Sequence, residues 1–352
     1  MSRFLSKRLY EMEAYVPGEQ PRDKKYIKLN TNESPFPPCP GVINAVSGNK
    51  ASLLNLYPDP TCTALKEKLA KVYNLKSENI FISNGSDDIL NFAFLAFCDG
   101  GRGMAFADIT YGFYSVFAEL YGVKTKIIPL KDDFKLNCEA FENLGMNAVI
   151  ANPNAPTGLP IEQDDLRRIL ETNRDSVIIA DEAYVDFGGK SALSLISEYD
   201  NLLVVRTFSK SRSMAGARLG FAMANPELIR DLEKIKYSTN PYDINTLTQA
   251  AGIACLDDAA YFESCVNSII KAREYTTKQL KDRGFIVTDS AANFVFAKKP
   301  GYDGEELYNK LRQKGVLVRH FSKERIKDYL RITIGTIEQM DKLLAAIDEI
   351  IG

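Results

Sequence analysis

The chain has 352 residues, 45% of them hydrophobic and 26% charged, the make-up of an ordinary globular protein with room for one large and one small domain. Its 44 basic and 46 acidic residues leave a net charge of -2 spread along the chain, so nothing marks a nucleic-acid or anionic-membrane partner, and a small polar ligand is expected instead. A single histidine, His320, excludes His-rich metal sites, and no metal is expected.

The first fifteen residues, MSRFLSKRLYEMEAY, carry charges throughout and lack the apolar centre of a signal peptide; no uncharged run approaches a membrane span, and a cytoplasmic protein is expected. The next segment, with PFPPCP at 35–40, is expected to be a connecting arm lying across a small domain. From about residue 60, β-rich runs alternate with helical patterns, the signature of an α/β fold with a mostly parallel sheet. The expected strands are 79–83, 103–107, 125–130, 147–152, 176–183, 202–207 and 218–224, nearly continuous apolar runs such as a sheet covered on both faces requires. Helices are expected over 61–75, opening on a Thr cap after Pro60, and over 86–98, capped by Ser86. After a helical stretch at 243–283, the runs GFIVTDS, NFVFAKK, GVLVRHF and YLRITIG alternate with helices and predict a smaller α+β C-terminal domain. This divides the chain into an arm (1–45), a large domain (46–265) and a small domain (266–352). His320, at the end of a predicted strand, is expected to be a hydrogen-bonded structural residue. The six scattered cysteines, with no C-x-x-C pair, are expected as reduced core thiols.

The residues that carry chemistry follow from strand ends. In an α/β sheet, ligands gather outside the carboxyl ends of the strands, where Asp181 of D-E-A-Y stands directly after S-V-I-I-A. A carboxylate there can keep a pyridine nitrogen protonated. The next apolar run ends in F-S-K-S-R-S-M-A-G-A-R-L-G, which brings the Lys210 amine and the Ser209 hydroxyl to the neighbouring strand end. An aldehyde cofactor needs such an amine. Arg218 returns to the same place through the turn at Gly216, where its planar fork can hold phosphate oxygens. N-G-S-D at 84–87 opens a helix, so Gly85, Ser86 and Asp87 can offer donors to an anion. Two nucleotide signatures fail: no G-x-G-x-x-G follows the early strands, and G-G-K-S at 188–191 lacks the upstream glycine of a P-loop, because Tyr184 occupies that place.

Taken together, N-G-S-D, N-P-N-A-P-T-G, D-E-A-Y and S-K-x-x-x-x-A-G-x-R-x-G resemble the fold-type-I pyridoxal-phosphate-dependent aminotransferases over most of the chain. K-L-N-T-N-E-S-P-F, Y-P-D-P and Y-L-R-I-T-I-G are similar to the histidinol-phosphate aminotransferases within that group. The resemblance implies a large domain with a mostly parallel seven-stranded sheet and pyridoxal 5'-phosphate as the cofactor. It implies that Lys210 bonds the cofactor, Asp181 pairs with its ring nitrogen, Tyr184 meets the ring hydroxyl, and Gly85, Ser86, Asp87, Ser209 and Arg218 surround its phosphate. Tyr111 matches the aromatic that stacks on the ring, and Tyr57 a tyrosine that reaches the phosphate in the partner subunit, which implies a homodimer with shared active sites. Arg331 matches the arginine that binds a substrate carboxylate or phosphate, Arg319 is similar to a second anion contact, and Tyr15, Asn32 and Glu33 are implied to close the pocket. The group usually has Asn directly before P-T-G to hold the ring hydroxyl; here Ala155 stands one residue before it with Asn154 behind, so that contact falls to Asn154 or Asn152 by a local adjustment, or to Tyr184 with water, and Pro156 is expected in a special turn after a cis bond. The implied reaction is a ping-pong transfer of an amino group from L-histidinol phosphate to 2-oxoglutarate in histidine biosynthesis. Aromatic or broad-specificity aminotransferases and amino-acid-phosphate decarboxylases share nearly all of these motifs. A cofactor-binding regulator is disfavoured, since no basic helix-turn-helix precedes residue 26.

Overall fold

The computed structural model describes residues 4–6, 9–10, 12, 18–21, 23–47, 52–99 and 101–352. In chain order the described elements are β1 (Ile27–Lys28), α1 (Pro40–Val46), α2 (Thr63–Tyr73), β2 (Ile80–Ser83), α3 (Ser86–Phe97), β3 (Met104–Ala107), α4 (Phe113–Tyr121), β4 (Thr125–Ile128), β5 (Asn147–Ala151), α5 (Gln163–Thr172), β6 (Ile178–Asp181), β7 (Leu202–Thr207) and β8 (Gly220–Ala224). They are followed by α6 (Pro226–Thr239), α7 (Thr246–Asp257), α8 (Ala259–Asp282), β9 (Ile286–Val287), β10 (Phe294–Lys298), α9 (Gly304–Gln313), β11 (Val316–Leu317), β12 (Arg319–His320), β13 (Leu330–Thr333) and α10 (Ile337–Ile351).

Strands β2 to β8 form one seven-stranded sheet in the order β2-β8-β7-β6-β5-β3-β4. The pairs among β3, β4, β5, β6 and β7 are parallel, and β8 runs antiparallel to both β7 and β2. The apolar runs are continuous because helices cover both faces. Ile150, Ile178 and Val204 join a core with Leu65 and Leu69, while their neighbours Val149, Ile179 and Val205 join a core with Ile89 and Phe94 on the other side. That two-residue alternation is the pleat of a strand buried on both faces. Because the strands are parallel, β3, β5, β6 and β7 all end at one edge, at Ala107, Ala151, Asp181 and Thr207.

The four-stranded antiparallel sheet β12-β13-β10-β9 carries a second core in which Val266, Ile269, Leu307, Ile332 and Met340 meet Leu29 of the N-terminal segment. That segment adds β1 in parallel to β11. The Pro-rich stretch is more than an arm: Pro40 is the first residue of α1, where its missing N–H costs nothing, and Val42 packs into the large core with Ala251 and Cys255 of α7.

Two caps differ from expectation. The helix after Pro60 begins at Thr63; the side chain of Asp59 accepts the N–H groups of Thr61 and Thr63, and those bonds outweigh burial and hold its carboxyl down at about 2. At α3 the cap position belongs to Gly85, whose φ of +90° no L side chain favours, so Ser86 becomes the first helical residue and no side chain caps the turn. His320 accepts its structural role: Nε2 lies 2.7 Å from the carbonyl of Lys327 beside the Tyr308 ring. All six cysteines are buried and unbridged. Among the described residues no helix is long and apolar enough to cross a membrane, and no group of side chains is arranged to hold a metal.

Candidate active site

The site is built on the sheet edge where β5, β6 and β7 end. Consecutive residues of a strand point to opposite faces, and this separates the two acids of D-E-A-Y. Asp181 lines a cleft of about 560 Å³, whereas Glu182 turns under the sheet and is bound by Arg206, Ser191 and the N–H of Ala192. Arg206 also reaches Asp186 at 3.2 Å, so Glu182 belongs to a buried structural network. Burial pushes the Asp181 carboxyl up to about 6. The hydroxyl of Tyr114 in α4 donates to its Oδ2 at 2.7 Å, and the N–H of Ala183 donates to Oδ1 at 3.3 Å.

One wall of the cleft is an anion cradle. The uncapped first turn of α3 faces Arg218, which adopts a left-handed backbone with φ +51° and donates to Ser209 Oγ at 3.3 Å and Asp87 Oδ2 at 3.2 Å. The approach is close: a Cβ on Gly85 would lie 2.6 Å from the Arg218 guanidinium, and one on Gly220 would lie 2.5 Å from the Gly85–Ser86 peptide. Two glycines thus create the space for a guanidinium and free backbone N–H groups to converge. Asp87 also accepts the hydroxyl of Tyr111 at 2.7 Å, fixing that ring over the cleft.

Lys210 enters from the loop after β7. Its Nζ lies 3.4 Å from the carbonyl of Thr31 and 5.6 Å from the centre of the Tyr184 ring. The Tyr184 hydroxyl accepts a hydrogen bond from Asn32 Nδ2 at 3.0 Å. Asn32 is itself held by Thr333 of β13, so an arm residue and a small-domain residue position a large-domain tyrosine. The two asparagines considered for the ring contact are engaged elsewhere. Asn154 bonds Ile109, Thr110 and Thr157, and Asn152 bonds Lys190 and Ile161; neither lines the cleft. The Ala155–Pro156 bond is cis, as is Asn152–Pro153, and Ala155 itself lines the cleft.

A second, larger cleft opens from Lys210, Tyr184 and Tyr111 toward the small domain. Arg319 and Arg331 are direct partners on β12 and β13, and Lys323 stands on the rim, while among the described residues no Asp or Glu lines this cleft. Arg331 donates to the carbonyl of Asn30 at 2.8 Å and lies 5.9 Å from the Phe321 ring, with Arg319 at 6.0 Å from the same ring. The rim is closed by a clasp between domains: Lys323 donates to the carbonyl of Asp108, and Arg325 donates to the Asp108 carboxylate at 2.8 Å and to the carbonyls of Leu130 and Lys131.

Neither Glu33 nor Tyr57 lines these clefts, and the place expected for Tyr57 is the cofactor of a partner subunit. Glu33 pairs with Lys28 at 2.8 Å outside the clefts. Tyr57 is 82% exposed, its ring stacked on Tyr242. Tyr15 lies outside the described residues. Sequence reasoning missed Tyr114, Lys323 and Arg325. Tyr114 sits in the first turn of α4 and leaves no local signal, and the clasp leaves none either, since its partners are some 200 residues apart.

An amine, a buried carboxyl, a tyrosine pair and an anion cradle in one cleft fit a phosphorylated aromatic aldehyde. The donor set accommodates each part of such a group: the cradle its phosphate, Asp181 a basic ring nitrogen, Lys210 the aldehyde carbon. The sequence model for aminotransferases of class I and II matches residues 24–347. The chain belongs to this family. Its similarity to individual members extends over the whole length. It is 50% identical to the histidinol-phosphate aminotransferase of Brachyspira hyodysenteriae, over 100% of this chain and 99% of the relative, and 49% identical to that of Marinomonas sp., over 99% of each. Among solved structures, the histidinol-phosphate aminotransferase of Sinorhizobium meliloti in complex with pyridoxal-5'-phosphate superposes with a TM-score of 0.85 at 25% identity, over 93% of this chain and 91% of that one. The enzyme of the same name from Clostridium acetobutylicum gives 0.84 at 25% identity, over 92% and 98%. The aminotransferase fold, with its mostly parallel sheet, is the one expected from the motifs.

Proposed function

We propose that the protein is a histidinol-phosphate aminotransferase that uses pyridoxal 5'-phosphate to carry an amino group between L-histidinol phosphate and 2-oxoglutarate, a step of histidine biosynthesis. The observation that carries this reading is the pair Arg319 and Arg331, direct partners on β12 and β13 in a cleft that opens on Lys210. A guanidinium fork binds an oxyanion by parallel hydrogen bonds, and the two substrates bring one each: a phosphate on the donor, a distal carboxylate on the acceptor.

When bound, the cofactor supplies an aldehyde for the donor's amine and a cationic ring that accepts electrons as the α-proton leaves. The chain does the rest. The α3 turn, Ser209 and Arg218 hold the phosphate, Tyr111 covers the ring, and Tyr184, tethered by Asn32, holds the ring hydroxyl. Asp181 keeps the ring nitrogen protonated. Lys210, freed when the donor's amine takes its place, would take the α-proton on Nζ and hand it to the aldehyde carbon along the same face. Arg319 and Arg331 orient both substrates, and the Lys323–Arg325 clasp excludes water from the mouth.

The division into arm, large and small domain is supported by two main cores, one of residues 39–256 and one built mostly of residues from 266 onward, which Leu29 and Phe187 join. A homodimer with shared active sites is supported by the exposed Leu54, Leu56 and Tyr57, an apolar patch that a second subunit would cover. The test is to add glutamate to the cofactor-loaded enzyme and watch for the spectrum of the aminated cofactor; no conversion sinks the transaminase reading. Comparing histidinol phosphate with phenylalanine as donors then decides specificity, and a preference for phenylalanine would make this an aromatic aminotransferase.

A further inference from the structure

Tyr114 is wholly buried, its ring wedged edge-on against Phe106 and Tyr111, yet it carries a hydroxyl that an apolar core has no use for. A phenylalanine would fill the same space. Its O–H instead donates to Asp181 Oδ2 at 2.7 Å, a shorter bond than the one the Ala183 N–H makes to Oδ1. Oδ1 receives only the 3.3 Å bond from Ala183, and so is the oxygen left to serve the cleft.

We propose that Tyr114 is a positioning residue for Asp181: its buried hydroxyl pins Oδ2, fixes the rotation of the carboxyl, and leaves Oδ1 aimed at the ring nitrogen of the bound cofactor. The proposal rests on the cofactor assignment made above and adds a residue that none of the motifs includes.

The electrostatics run the same way. Burial disfavours the charged carboxylate, and the charges of two further acids, Asp87 of α3 and the adjoining Glu182 on the opposite face of the sheet, also push against ionisation. On the other side stand Lys210 after β7, Arg218 before β8 and the hydroxyls of Tyr111 and Tyr184. Of the groups that favour the charged form, the Tyr114 hydrogen bond is the largest, followed by the Ala183 N–H. Bonds to a charged acceptor are worth on the order of 1.5–3 kcal/mol, so losing this one should raise the affinity of Asp181 for a proton roughly tenfold or more.

The variant is Tyr114→Phe, which keeps the ring and removes one oxygen. Two readouts separate positioning from packing. In the cofactor-loaded enzyme, with the ring nitrogen labelled with 15N, its NMR shift should move toward the unprotonated value, and the glutamate half-reaction should slow roughly tenfold while KM changes less than about threefold. In the cofactor-free protein, the Asp181 carboxyl, followed by 13C NMR with Asp181→Asn to assign its signal, should titrate about one unit higher than in the parent. If both the 15N shift and the carboxyl titration match the parent's, the proposal is overturned, whatever the rate. If Tyr114→Phe lowers thermal stability while leaving both spectra unchanged, Tyr114 is packing only, and the proposal is equally overturned. The carboxyl titration needs no cofactor, so a protein that failed to bind pyridoxal phosphate would defeat the functional reading while still deciding this one.

Discussion

The two clefts that meet at Lys210 are built on opposite plans. The cofactor cleft draws on the ends of adjacent strands of one sheet, where the backbone ladder sets each position, and its charges are compensated: Arg218 by Asp87, and Asp181 by a buried hydroxyl. The other cleft is assembled from the N-terminal segment, the loops at 109–112 and 155–156, Tyr184, Lys210, and residues on and beside β12 and β13, where Arg319 and Arg331 are direct partners. The first is a finished electrostatic unit on a rigid frame. The second draws on both sheets, and its shape depends on how they meet. Cofactor chemistry should therefore be hard to perturb except at its own groups, while substrate affinity should respond to residues at the domain boundary.

The largest effect belongs to the amine. Lys210→Ala should abolish the absorbance of covalently held cofactor and lower turnover on the order of 10³-fold or more, with the fold retained by circular dichroism. Absorbance of normal intensity would refute its role. Next come Arg331 and Arg319. Arg331→Met should raise KM for 2-oxoglutarate roughly 100-fold, since a charged hydrogen-bonded pair is lost. Arg319→Met should weaken the phosphorylated donor, whose oxyanion loses a guanidinium fork, while its melting temperature holds. A fall in stability matching that of a core substitution would break the contrast between the clefts.

A smaller effect is a pH dependence confined to the cofactor cleft. Asp181 titrates at about 6, above the ordinary carboxylate value of 3.8, because burial penalises its charge. A carboxyl raised by folding contributes stability below the unfolded value, and that contribution is lost as pH climbs from about 4 through about 6. The protonated ring nitrogen offsets the loss. The gap between the melting temperatures of cofactor-loaded and cofactor-free protein should accordingly widen from pH 4 to pH 7, and Asp181→Asn should flatten that trend. An unchanged trend in the variant would remove Asp181 from the ring-nitrogen role.

The smallest effect is at the clasp. Arg325 is partly exposed, and its ion pair with Asp108 is screened by solvent. Arg325→Met should raise KM for both substrates by less than about tenfold, and added salt should reproduce the change in the parent but not in the variant. A kcat effect without a KM effect would mean that the clasp acts on chemistry rather than on closure.

Much of the cofactor cleft was legible in the sequence because its groups sit at fixed places relative to strand ends: apolar runs locate the strands, and Asp181, Ser209, Lys210 and the Gly85 turn follow directly after them. The caps were misplaced by a residue or two because Gly85 and Cys62 take left-handed or extreme backbone angles that local propensity does not disclose. The asparagines around Pro153 illustrate a different failure. Their chemistry suited a ring contact, but their side chains were claimed by backbone groups of the loops at 109, 161 and 190, partners invisible until those loops were brought together.

By itself, then, the order of residues determined the element sequence, the sheet that carries the site and the groups that a phosphorylated aldehyde would need, because each depends on periodicity or on a spacing of a few residues. The tertiary structure alone decided that Asn32 tethers Tyr184, that Arg319 opposes Arg331, that Arg325 clasps Asp108 and that Tyr114 supports Asp181. These pairings depend on strand register and on the meeting of two domains, and register is set by which faces are buried together rather than by any local signal.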